Sequence, residues 1–364
     1  MKIVYKKALL CVLLFSALNT GAIAENIMLN NPFKLNREDT LTTNFNKKIS
    51  SFWKNTAVSD SFQGVANKRI YTTSIKNGNA NAIVISQGRN ESIFKYKELA
   101  FDLSQQGYDL YLIDHRGQGF SERFGGDSHR GHIEQFQDYV DDFNHYIVSL
   151  DLAKHYQQRY LLSHSMGGTI SALYLQQYTH PFQASVFISP MFSINLGGIS
   201  ERIAQIITYS SAEICSWFND KACYIFAGSG YNKEVFANNE LTSSKIRFKS
   251  SINTFEQYPQ AKLGSPTMRW VAESISATRQ AVANASKINI PILIIQAGAD
   301  AVVTPEGQNA FFKNITSCKS KRLINIAGAK HEILLESDRY RLPALTAALT
   351  FLQQSQQGKQ ECVK

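Results

Sequence analysis

Beyond residue 24 the chain has no apolar run approaching the roughly 20 residues that a membrane-spanning helix needs, so no such helix is expected there. It also lacks an HExxH string, paired-cysteine spacing and an EF-hand loop, which leaves a metal site without support. GxGxxG and the Walker loop are missing too, and no nucleotide or other cofactor is expected. No lysine- or arginine-rich block with interleaved aromatics occurs, which argues against nucleic acid as a partner. Internal repeats and low-complexity tracts are likewise absent.

What is present begins with a leader. Lys2, Lys6 and Lys7 precede an apolar stretch over 8–18, and Ala22, Ile23 and Ala24 precede Glu25, giving the three parts of a secretory signal peptide over 1–24. Leu10 stands where a lipid-attachment site at Cys11 would want a small residue. The expected product is an exported protein of the periplasm or exterior. Loss of the three leader lysines lowers the formal charge from +9 to +6, enough for peripheral contact with an anionic membrane surface. Four cysteines then remain, and an oxidising compartment permits three pairings. Cys215 with Cys223 and Cys318 with Cys362 is the pairing to test, with space-filling free thiols as the alternative.

Residues 25–61, rich in Asn, Lys and Thr, read as an irregular arm. Short apolar strands then alternate with helices: strands over 69–74, 82–86, 110–114, 160–162 and 184–189, helices over 94–105, 134–150 and 168–178. The same grammar returns with strands over 292–295 and 322–326 and a closing helix over 338–353. This predicts an α/β fold, a mostly parallel sheet with helices on both faces, its core built from 62–192 and 286–356 ahead of a tail at 357–364. The interruption over 193–285 is too long for a loop and predicts an inserted, mainly helical cap. Ile199, Ile203, Ile206, Ile207, Ile214, Trp217 and Phe218 recur there at helical spacing, a stripe expected to pack against a core.

The run YLLSHSMGGTI over 160–170 places Ser165 between a buried strand and two glycines, the pattern of a nucleophile elbow, with Ser163 where GxSxG has its first glycine. A serine hydroxyl needs a base beside it. His331, between the last strand and the last helix, suits that role, and Asp300, at another strand end, would orient its imidazole. The order Ser165, Asp300, His331 is that of an α/β-hydrolase. Backbone N–H groups of Met166 and Arg89 are the candidate oxyanion donors. Loop or buried structural roles are expected for His115, His129, His132 and His164.

The strings DHRGQGFSER, RGHIEQFQDYVDDF, SHSMGGTI, SPMFSI, SPTMRWVAESI and AGAKHEILLESD resemble those of the bacterial lysophospholipase L2 family, within the monoacylglycerol-lipase-like α/β-hydrolases. The similarity runs over about 62–352 and implies Ser165, Asp300 and His331 as the triad. It also implies a single-chain phospholipid substrate, cut to fatty acid and glycerophosphodiester. Where the wider group often has HGxGE, this chain reads QGRNE, keeping Gly88 and Glu91. A monoacylglycerol lipase or carboxylesterase with the same triad, or a non-catalytic lipid-binding protein, are the alternatives. The insertion holds nine basic and seven acidic residues. Lys245, Arg247 and Lys249 read as a solvated face that could meet a phosphodiester, and Phe248, Phe255, Tyr258 and Trp270 either line an acyl groove or form the cap's own core.

Overall fold

A computed structural model describes residues 30–358 and residue 362, so the signal peptide expected over 1–24 lies outside the described residues. Where an irregular arm is expected, the described residues from Glu38 onward form elements instead. Helix α1 (Glu38–Asn44), a π-helical turn (Phe45–Ile49) and α2 (Ser50–Thr56) lead into strand β1 (Ala57–Gln63). β1 escapes sequence reading because it is an edge strand, most of whose side chains face solvent, so it shows no apolar alternation.

β2 (Arg69–Ile75) pairs antiparallel with both β1 and β4 (Tyr108–Asp114), and parallel pairing carries the rest of the sheet. Its other strands are β3 (Asn81–Ser86), β5 (Gln158–His164), β6 (Ala184–Ile188), β7 (Ile292–Ala297) and β8 (Lys321–Ile326). The order is β1-β2-β4-β3-β5-β6-β7-β8. The central strands are buried along nearly their whole length, so both faces must be covered. Ile83, Leu110, Leu162 and Leu293 point into a core shared with α3 (Lys97–Gln105) and the final helix, Asp338–Gln356. Their neighbours Val84, Tyr111, Leu161 and Ile294 point the other way, toward α4 (Gln137–Leu150), the short α5 (Leu152–His155) and α6 (Met166–Gln177).

Between β6 and β7 lie α7 (Glu201–Phe218), α8 (Lys245–Gln257) and α9 (Met268–Ala283). Each starts on a hydroxyl cap: Ser200 accepts from Ile203 N–H, Ser244 from Arg247 N–H and Thr267 from Trp270 N–H. α10 (Pro305–Asn314) follows β7, and α11 (Asp338–Gln356) closes the chain. Cys215 is bonded to Cys223 at the end of α7, and Cys318 to Cys362.

Two expectations about the insertion fail. The stripe on α7 does not face a core: its buried residues are Ala204, Thr208 and Cys215, while Ile203, Ile206, Trp217 and Phe218 are 55%, 58%, 74% and 79% exposed. Periodicity identified an apolar face without showing what covers it. Arg247, read as part of a solvated face, is buried instead, with Nη2 2.9 Å from both Glu98 Oε1 and Asp338 Oδ1. It fastens α8 to the core and is not available to a ligand.

Candidate active site

Parallel strands end on one edge of the sheet, so the loops after β3, β5, β7 and β8 converge there. Ser165, after β5, has φ 51° and ψ −122°, a conformation that costs a non-glycine residue about 1–3 kcal/mol and persists only where neighbours enforce it. They do: Ser165 N–H donates to Ile188 O at 3.1 Å, and Ser165 O accepts from Gly168 and Met191 N–H at 2.8 and 3.0 Å. A Cβ on Gly167 would come within 2.1 Å of Ser86 O, so the turn tolerates only glycine there. Ser163 packs fully buried, its hydroxyl without a partner among the described residues.

His331, after β8, reaches Ser165 Oγ through Nε2 at 2.8 Å and Asp300 Oδ2 through Nδ1 at 2.7 Å. Burial pushes the Asp300 carboxyl up, but the bond to His331 and the N–H groups of Val302 and Val303 outweigh it and hold the carboxyl below its usual range. An ionised carboxylate can only accept, so Nδ1 carries the proton and Nε2 is free to accept from the serine. The three residues picked out in the sequence are thus brought into one hydrogen-bonded chain.

Beneath them is a charged cluster that sequence reading missed. Glu91 Oε2 accepts from Gly88 N–H at 2.5 Å and Tyr96 OH at 2.7 Å, and lies 3.1 Å from His164 Nδ1. His164 Nε2 lies 3.2 Å from the carbonyl of His331. Lys95 Nζ pairs with Glu332 at 2.8 Å and Glu91 at 3.8 Å. Burial alone would lower the His164 imidazole, yet Glu91 raises it; burial would raise Glu91, yet His164 and Lys95 hold it well below the usual carboxylate range. The pair ties the loop after β3 to the loop carrying His331. The retained glutamate of QGRNE was the available signal, but its partners are remote in sequence.

Gln87 Nε2 donates to Asp114 Oδ1 at 2.5 Å, and Gln118 Nε2 to Gly88 O at 2.7 Å, which fixes the QGRNE loop from both sides. Met166 opens α6 directly after the serine. His115 meets Ser86 Oγ at 2.9 Å, His132 meets Thr267 Oγ1 at 3.0 Å, and His129 accepts from Tyr231 N–H at 3.2 Å, so these three tether loops.

Above the serine lies a cavity of about 650 Å³, lined by Ser165, His331, Arg89 and Lys95 and by apolar residues of the insertion. Phe248, Phe255 and Trp270 are among them, while Tyr258 is not and stacks on Phe94 with ring centres 4.2 Å apart.

A serine held in an elbow, bonded to a histidine that an ionised aspartate orients, at the strand ends of this sheet, defines an enzyme of the α/β-hydrolase class. Residues 78–338 match the family described as serine aminopeptidase, S33, and the chain belongs to it. It is 37% identical over 273 residues to lysophospholipase L2 of Escherichia coli, spanning 74% of this chain and 79% of that one, which places it in the lysophospholipase L2 family. Phospholipase YtpA of Bacillus subtilis is 26% identical over 259 residues, covering 71% of this chain and 90% of its own. A soluble variant of monoglyceride lipase from Saccharomyces cerevisiae, solved with a substrate analogue, shares the fold with a TM-score of 0.64 at 19% identity, over 82% of this chain and 95% of that one.

Proposed function

We propose that the protein hydrolyses the acyl ester of lysophospholipids through an acyl-enzyme formed on Ser165. His331 Nε2 takes the hydroxyl proton as Oγ attacks the ester carbonyl, and Asp300 stabilises the resulting imidazolium. Gly88 N–H is already bonded to Glu91, so Arg89 N–H, together with Met166 N–H, is assigned to the developing oxyanion. Collapse expels the glycerophosphodiester with the proton from His331. Water, activated by the same imidazole, then releases the fatty acid.

The observation that carries this reading is the Ser165–His331–Asp300 chain opening into an apolar cavity whose volume falls in the usual range for one small ligand, about 300–1,000 Å³. The names of the curated relatives supply the lipid. A monoacylglycerol is the second reading, favoured by the apolar lining. Purified protein should cleave lysophosphatidylethanolamine with kcat/KM at least about tenfold above a monoacylglycerol of the same chain, a preference of about 1.4 kcal/mol in the transition state. The reverse order would replace the first reading with the second, and cleavage of an aminoacyl anilide alone would replace both.

The exposed face of α7 suits peripheral contact with an anionic membrane, since it leaves Ile203, Ile206, Trp217 and Phe218 exposed and its Ile207 also lines the cavity. No described helix is long and apolar enough to cross a membrane. In the same assay series, replacing Trp217 and Phe218 by Ser should weaken sedimentation with anionic vesicles at least about tenfold, given the apolar area removed; unchanged sedimentation would refute the contact. Export to the periplasm or exterior is supported by the two disulfides, which persist in oxidising compartments. Protein recovered from the producing cell should begin at Glu25 and resist thiol alkylation until reduced, whereas recovery from the cytoplasm with free thiols would overturn export.

A further inference from the structure

We propose that the Arg89 side chain is an anion subsite of this cavity, taking the phosphodiester of the substrate head group. The inference rests on the lysophospholipid reading and deepens it by assigning the residue that separates that substrate from a neutral monoacylglycerol.

The fully buried arginines are each matched by carboxylates, whereas the half-buried Arg123 and Arg159, which are not among the residues lining the cavity, bond to backbone carbonyls. Arg116 meets Asp138 and Asp142, Arg247 meets Glu98 and Asp338, and Arg341 meets Asp102. Lys95, another cation lining the cavity, is matched by Glu332 and Glu91. Arg89 is different. Among the described residues its side-chain bonding is one donation, from Nη2 to Gly264 O at 2.8 Å, and its Nε is buried without a partner. No carboxylate pairs with it, and the groups that favour its charge are the phenols of Tyr139 and Tyr224. Burial pulls the guanidinium down to about 10, so it stays charged at neutral pH while lacking a counter-ion. An unpaired cation in a partly dry cavity is unfavourable unless something anionic arrives.

Its setting prepares it for that. The guanidinium lies 5.0 Å from the ring centre of Trp270, itself anchored by donation from Nε1 to Tyr139 OH at 3.2 Å. Gly131 makes room, because a Cβ there would stand 3.1 Å from Arg89 Nη2. A planar guanidinium fork matches two phosphate oxygens, which a point charge does not. The scale also fits: the backbone of Arg89 adjoins Gly88, beside Ser165, both residues line one cavity, and an arginine carries its guanidinium several bonds beyond its backbone. In a lysophospholipid the glycerol separates the ester from the phosphodiester in the same way. A monoacylglycerol offers a neutral hydroxyl at that point and gains nothing from the charge.

The test compares kcat/KM for lysophosphatidylethanolamine and monoacylglycerol, both as monomers with the same acyl chain, in wild type, Arg89→Met and Arg89→Gln. The ratio should fall about thirtyfold in both variants, the worth of a charge-assisted hydrogen bond at about 2 kcal/mol. Arg89→Gln keeps a neutral donor near the Nε position and provides the measurement if Arg89→Met does not fold. An unchanged ratio, including an equal loss on both lipids, would overturn the subsite and make Arg89 a loop tether. A second arm uses Ser165→Ala protein and ether-linked, non-hydrolysable lysophosphatidylethanolamine and monoalkylglycerol. Adding Arg89→Gln should weaken the phosphodiester ligand selectively by a similar factor, and equal affinities would again overturn the proposal. If wild type hydrolyses only the neutral lipid, the functional reading fails while this binding arm still decides the subsite.

Discussion

Ser165→Ala should lower kcat by at least about 10⁴-fold while leaving the thermal midpoint within about 3 °C of wild type. The loss is large because Oγ is the only atom of the elbow positioned to attack and to donate to His331 Nε2, at 2.8 Å. Stability should change little because the strained backbone at φ 51° is held by main-chain bonds to Ile188, Gly168 and Met191, none of which involve the hydroxyl. Alanine also adds no volume to a turn closed by Gly167 against Ser86. Turnover on the lipid panel and labelling by a fluorophosphonate report together. Activity within tenfold of wild type would remove Ser165 from the mechanism, and a wild-type protein that resists labelling would make this a lipid-binding module on a hydrolase fold.

Asp300→Asn should cost about 10⁴ in kcat with the fold intact, and here the geometry dictates the sign of the error. Oδ1 accepts from the N–H groups of Val302 and Val303 at 2.8 and 3.0 Å, so in the variant that position must remain the carbonyl oxygen. The amide NH₂ then falls where Oδ2 stood, facing His331 Nδ1. Two donors cannot face each other, so the imidazole shifts its proton to Nε2 and can no longer accept from Ser165. Single-turnover acylation measured against the folded fraction is the check. An Asp300→Asn enzyme within tenfold of wild type would mean that another carboxylate orients the histidine.

Much of this was readable along the chain because it depends on neighbours in sequence. The elbow needs a short apolar strand, a serine and small residues within a few positions, and 160–170 supplies all of them. The central strands of a sheet covered on both faces are runs of apolar residues, and β3, β4 and β7 announce themselves that way. Edge strand β1 has no such run, and α1 and α2 sit in a polar segment, so the expectation of an irregular arm failed there.

The sequence by itself determined the class of fold, the order along the chain of Ser165, Asp300 and His331, which the structure brings together, and the helical segment between β6 and β7, since short-range spacing and strand–helix alternation express all three. Only the tertiary structure decided which charges are matched and which apolar faces are covered. Arg247 looked like a surface residue until Glu98 and Asp338 closed around it, and the α7 stripe looked like core until nothing among the described residues buried it. His164 acquires Glu91 across 73 positions. Arg89 lines the cavity with no carboxylate against it. Burial and charge compensation are set by residues far apart in the chain, so no local pattern encodes them.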